Sequence, residues 1–242
     1  MLNKSRIDFK GVVFDFDNTL VDTKKTVLEA YDKVFSEMAE KFNVDREKLI
    51  SEAETFQEEK IRELAESKRS YDHADWIPLI AEKESIKLNE EEKEYYKQVF
   101  YSYVLNNQKF SDKTEELLKE LKKQGKRLAL LSERDSLDGL KAERISRIPF
   151  HSYFDVVVIA GEDIPFSKAR DGVKPFIETA KLLGLSTKDI IMVGDRLDLD
   201  IQNAKESGMK AVLFTGYEKS QEKSNYEPDL IISDISEFSK LL

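Results

Sequence analysis

The sequence predicts an α/β fold: a parallel sheet with helices on both faces, interrupted near its start by an α-helical insertion. Three observations carry this reading. Val12, Val13, Phe14 and Phe16 form a short apolar run of the kind that makes a strand buried on both faces. From Ser111 onward, apolar runs alternate with amphipathic helices, which is the pattern of a parallel sheet wrapped on both sides. Between the first strand and Ser111, four helical stretches follow one another with no strand among them.

The elements can be justified in order. Val27, Ala30, Tyr31, Val34, Phe35, Met38 and Phe42 recur at the three-four spacing of a helix with one buried face, over Thr26 to Phe42. Asp45 is placed to cap a second helix carrying Leu49, Ile50, Ala53, Phe56, Ile61, Leu64 and Ala65. A third is expected over Trp76 to Ser85, starting near Asp72 or Asp75. A fourth begins at Asn89, with Glu92 three residues on as a capping box, and runs to about Leu105. The sheet region then reads as a helix Ser111–Gln124 closed by Gly125, a strand Arg127–Ser132 and a helix around Leu137–Arg147. A strand Asp155–Ala160 follows, and then a helix from Pro175 to Gly184. The strand Asp189–Gly194, a helix Asp198–Ser207, the strands Lys210–Phe214 and Asp229–Ser233, and a terminal helix from Ile235 complete the chain.

Composition narrows the function. The net charge of −9 disfavours nucleic acid and anionic membranes as partners, since both reward excess Lys and Arg. There is no cysteine, which removes thiolate nucleophiles, disulfides and Cys-based zinc sites. The two histidines, His73 and His151, stand in no metal-ligand spacing and give poor support to a Ser-His triad. No signal peptide or membrane-length apolar run is evident, so a soluble, cytoplasmic protein is expected.

The polar residues at the predicted strand ends carry the chemistry. Asp15 and Asp17 lie two apart at the mouth of the most apolar strand, so they project to the same side. Such a pair repels, and burial adds to the cost unless a cation or hydrogen-bond donors compensate. Ser132 ends the second strand, Lys174 precedes the helix after the third, and Gly194-Asp195 ends the fourth, with Asp198 and Asp200 beyond. Ligands of open parallel sheets bind outside these carboxyl ends, and a strand order of 3-2-1-4-5 would make the Asp15 strand central. Clustered acidic oxygens favour Mg²⁺, which usually keeps waters and a substrate phosphate as further ligands. A carboxylate can attack phosphorus, a second can move the proton, and a hydroxyl and an ammonium can hold the phosphate oxygens.

The segment Phe14-Asp15-Phe16-Asp17-Asn18-Thr19-Leu20 resembles the first motif of the haloacid dehalogenase-like hydrolase superfamily. Ser132 after Leu128-Ala129-Leu130-Leu131 is similar to its second motif, and Val173-Lys174-Pro175 to its third. The segment from Val193-Gly194-Asp195 to Asp198 and Asp200 is similar to the fourth. The resemblance implies a Rossmann-like catalytic core over 1–22 and 109–242, with an α-helical cap at 23–108 as in the phosphoglycolate-phosphatase-like branch. It implies Asp15 as nucleophile and magnesium ligand, and Asp17 as general acid/base that binds the metal through its carbonyl. Ser132 and Lys174 would hold the phosphate, Asp195 would ligate Mg²⁺, and Asp198 or Asp200 would support the metal. Asn18 stands where related phosphatases commonly have glycine. The usual family spacing back from Gly184 lands near Lys168, which makes it the rival of Lys174; the helix-starting Pro175 favours Lys174. The expected activity is Mg²⁺-dependent hydrolysis of a small phosphorylated metabolite through an aspartyl-phosphate. A phosphomutase, or a non-catalytic binding module on the same fold, is the alternative.

Overall fold

In the computed structural model, which describes residues 8–67, 73–218 and 223–241, the chain forms two compact units. The first comprises Met1–Asp22, Phe110–Arg134 and Ile148–Leu242; the second comprises Thr23–Lys109 and Asp135–Arg147. The chain passes from one unit to the other at 22/23 and again at 109/110. Residues 135–147, expected in the sheet region, group with the helical unit.

The first unit is built on a six-stranded, all-parallel sheet. Its strands are β1 (Gly11–Phe14), β2 (Arg127–Glu133), β3 (Val156–Ala160), β4 (Ile190–Gly194), β5 (Lys210–Phe214) and β6 (Leu230–Ile232). They are ordered β3-β2-β1-β4-β5-β6, so β1 is central. Every residue of β1 and β4 is buried, as their unbroken apolar sequences require of strands covered on both faces. Phe14 lies opposite Leu130 of β2 and Val193 of β4, so the residues just beyond these strands leave the sheet at one edge.

Helices cover both faces of the sheet. On one, Val13, Leu131, Val158 and Met192 pack with Phe176 and Ala180 of a helix (Lys174–Leu182) and with Ala204 of a short one (Gln202–Glu206). On the other face, α-helix Asp112–Lys123 buries Leu117, Leu118 and Leu121, and Phe14 meets Phe154 and Phe238 ring to ring. Phe238 belongs to a terminal 3₁₀ helix, Ile235–Leu241, where an α-helix was expected. The predicted helix Asp198–Ser207 is split as well: Leu197–Ile201 is a π-type turn, and only Gln202–Glu206 is α-helical.

The second unit is helical. Its elements are α1 (Thr23–Phe42), α2 (Arg46–Ser67), α3 (Ile77–Lys83), α4 (Glu90–Asn106) and α6 (Leu140–Ser146); α5 is the Asp112–Lys123 helix of the first unit. The expected α1 stripe is its buried face, with Tyr31, Val34, Phe35 and Met38 packed against Leu49 of α2 and Phe100 of α4. Asp45 accepts from the N–H groups of Glu47 and Lys48, and the Asn89–Glu92 capping box forms in both directions. The third helix is shorter than expected: a 3₁₀ turn, His73–Trp76, precedes α3. Asp72 and the side chains of Ile61, Leu64 and Ala65 lie outside the described residues. No helix of the described residues is long and apolar enough to cross a membrane.

Candidate active site

Asp15 is the first residue past β1, and its N–H is held by the carbonyl of Val193 at 2.9 Å. Asp195 is the first past β4, so two carboxylates leave neighbouring strands side by side. Asp200 joins them from the π-type turn; the three residues are buried, and one oxygen of each lies within 4.8 Å of the others. Gly194 permits this approach. A Cβ there would stand 2.5 Å from Cβ and Cγ of Asp200, closer than carbon atoms can come. Asp200 is further fixed by the Arg196 N–H, which donates to its Oδ2 at 3.1 Å.

One ammonium enters this cluster. Lys168 Nζ donates to Asp15 Oδ1 at 2.6 Å and to Asp200 Oδ1 at 2.7 Å, and only 4% of the lysine is exposed. Lys168 opens a one-turn helix, α7 (Lys168–Asp171), that the sequence did not reveal. Lys174 begins the next helix, α8 (Lys174–Leu182), as its proline requires, but this turns it toward solvent. Its side chain is 58% exposed, 3.6 Å from Asp171 and stacked over the Phe166 ring. The structure therefore brings the rival lysine, and not Lys174, to the carboxylates.

The remaining predicted residues divide in the same way. Ser132 is fully buried near the end of β2, its hydroxyl donating to the Glu133 carbonyl at 3.2 Å. Asp17 is half-buried in the turn after β1, where its backbone bridges to Val21. Asn18 has φ of +52°, a left-handed conformation that asparagine tolerates better than most residues with a side chain, so it can take the place of glycine. Asp198 turns away from the cluster into a fork with Arg196, at 3.0 Å to Nε and 2.8 Å to Nη2. Besides Arg196, further residues outside the expected set also touch the site. Thr19 donates from its hydroxyl to Asp195 at 3.5 Å, Glu133 accepts the Lys168 N–H, and Asn203 donates to the Lys168 carbonyl.

The electrostatics follow from this crowding. Burial pushes the Asp15 carboxyl up to about 7; the Lys168 ammonium opposes this, and the charges of Asp200 and Asp17 add to it. Asp195 is raised well above the usual carboxylate range by burial and by Asp200 and Asp15. Burial alone would lower Lys168, but Asp15 and Asp200 outweigh it and hold the amine above the ordinary lysine range. Three carboxylates around one ammonium leave an excess of negative charge that a further cation would relieve. The donors are all carboxylate oxygens, which fits a hard divalent ion such as Mg²⁺ rather than a soft or nitrogen-preferring metal.

Comparison with known proteins agrees with this geometry. Residues 12–214 match the family model described as haloacid dehalogenase-like hydrolase. The chain is 28% identical to the N-acylneuraminate-9-phosphatase of Homo sapiens, over 96% of this chain and 93% of that protein. It is 27% identical to the phosphoglycolate phosphatase of Aquifex aeolicus, over 96% and 95% of the two chains. Among solved structures, the magnesium-bound HAD-hydrolase YfnB from Bacillus subtilis shares the fold, with a TM-score of 0.73 at 15% identity over 97% of this chain and 98% of that one. A parallel sheet with acidic residues at its carboxyl edge, matched from the first strand to the fifth, places this chain in the haloacid dehalogenase-like hydrolase family.

Proposed function

We propose that this hydrolase of phosphoric monoesters works through an aspartyl-phosphate on Asp15, with Mg²⁺ bound beside it, and acts on a small phosphorylated metabolite. The observation that carries the reading is the buried contact of Lys168 with Asp15 inside a three-carboxylate cluster. A buried carboxylate held by one ammonium is fixed in direction, as a nucleophile must be, and the same ammonium can hold a phosphate oxygen. The curated relatives support phosphate as the group transferred, since they are named as phosphatases.

In the proposed sequence Asp15 attacks phosphorus, and Asp17 protonates the leaving oxygen. Asp17 then takes a proton from the water that hydrolyses the acyl-phosphate. Ser132 and Lys168 hold the non-bridging oxygens, a role in which Lys168 replaces Lys174. Asp15, Asp195 and the Asp17 carbonyl would hold Mg²⁺, with Asp200 beside them; Asp198, paired with Arg196, is outside that set. When bound, the ion supplies positive charge against the phosphate oxygens. The helical unit is assigned the part of a cap that selects the leaving group.

The non-catalytic alternative is set aside by membership in a hydrolase family whose curated relatives here are phosphatases. The test is release of phosphate, with Mg²⁺ and with EDTA, from an aryl phosphate and from a panel that includes phosphoglycolate, N-acylneuraminate 9-phosphate and sugar phosphates. Hydrolysis predicts one oxygen from ¹⁸O-labelled water in the released phosphate. Phosphate passed to a second sugar hydroxyl without water oxygen would make the enzyme a mutase. No turnover on the whole panel would sink the proposal.

A further inference from the structure

Lys168 stands on an element that cannot hold itself in place. Helix α7 is one turn of four residues, too short to persist on its own hydrogen bonds. Ser167 accepts from the Arg170 N–H, and Asp171 accepts from the Ser167 N–H, but these bonds fix only the shape of the turn. Its place relative to the carboxylates is set through the peptide groups of Lys168. Glu133 Oε2 accepts the Lys168 N–H at 2.8 Å. Asn203 Nδ2 donates to the Lys168 carbonyl at 3.1 Å and to the Leu199 carbonyl at 2.8 Å.

The origins of these two side chains give the contacts their meaning. Glu133 ends β2 directly after Ser132. Asn203, 6% exposed, lies in α9 (Gln202–Glu206), which continues the turn that carries Asp200. The lysine backbone is thus tied on one side to the serine strand and on the other to the carboxylate turn. We propose that Glu133 and Asn203 are positioning residues that set the Lys168 ammonium against Asp15 and the transferred phosphate. Neither acts on the substrate directly; each acts through the lysine. This inference rests on the phosphatase reading of the same site.

The consequence is kinetic. A charged group displaced by about an ångström loses on the order of 10²-fold in rate, even when the fold is intact. Glu133→Ala and Asn203→Ala should each lower kcat/KM for an aryl phosphate by about 10-fold or more. Glu133→Gln keeps an acceptor oxygen for the Lys168 N–H and should stay within about threefold of wild type. In calorimetric titrations with inorganic phosphate, Glu133→Ala should weaken binding in the wild-type background and have no effect in Lys168→Ala. Full activity in both alanine variants would overturn the inference. So would equal loss in Glu133→Gln and Glu133→Ala, or a phosphate effect that persists without Lys168. A wild-type protein with no turnover would instead remove the phosphatase reading itself, so the two failures are distinguishable.

Discussion

Among the described residues Asp15 lies beside the carboxylates of Asp195 and Asp200 and is met by the Lys168 ammonium, so changing it separates chemistry from folding. Asp15→Asn keeps the volume and can still accept a hydrogen bond from Lys168, but an amide is a far weaker nucleophile. Turnover should fall by more than about 10⁴-fold while the circular dichroism spectrum stays native, beyond the roughly 10²–10⁴-fold that proton transfer alone supplies. Wild-type-like turnover in a clean preparation would exclude Asp15 as the nucleophile. The two lysines offer an equally direct comparison. Lys168→Ala leaves Asp15 and Asp200 without their shared cation and removes a proposed phosphate ligand, so kcat/KM should fall by about 10²-fold or more. Lys174→Ala removes an exposed ion pair 3.6 Å long, and activity should stay within about twofold. Steady-state kinetics on the two variants checks both, and a reversed order would restore Lys174 to the site.

At the scale of elements, what could be read from the chain was what leaves a pattern. The strands β1, β2, β4 and β5 show as apolar runs, α1 as a stripe, and α4 by Asn89 and Glu92 at capping distance. Helix α7 has four residues, barely more than one helical period, so no periodicity could announce it; this is why Lys168 lost to Lys174 in the reading from sequence. The π-type turn after β4 was equally silent, although it decides that Asp200 faces the cluster and Asp198 pairs with Arg196. Such turns insert a residue into helical winding and rotate the following side chains, and they recur at functional sites. Gly194 is what lets this turn fold back on β4. Gly194→Ala places a methyl 2.5 Å from Asp200, and overpacking of this kind costs about 1–3 kcal/mol. Thermal unfolding should show the protein destabilised to that extent, with Mg²⁺ giving less protection than in wild type. An unchanged midpoint in both conditions would mean that Asp200 has room to move.

For the whole molecule, the cluster ties stability to pH and to metal in a direction that can be worked out. Burial raises Asp15 from about 3.8 to about 7 in the folded protein. Between those values the metal-free native state keeps a proton that the unfolded chain has released, so ∂ΔG/∂pH from this group is negative there. Stability contributed by Asp15 is therefore present below about pH 4 and is lost as pH rises toward 7. A divalent cation needs the ionised carboxylates, so its binding strengthens over the same interval as fewer protons must be displaced. Ligand at 100 times its dissociation constant stabilises by about 2.7 kcal/mol. For a protein of this size that is a rise of roughly 5–10 °C in melting midpoint. The gap between melting curves in Mg²⁺ and in EDTA should thus widen from pH 5 to pH 7.5 and then level off. Asp15→Asn has no carboxyl to titrate, so its metal-free midpoint should lack the Asp15-linked fall across this window, and its gap should be smaller. A gap that stays constant or narrows with rising pH in the wild type would show that these carboxylates do not form the metal site.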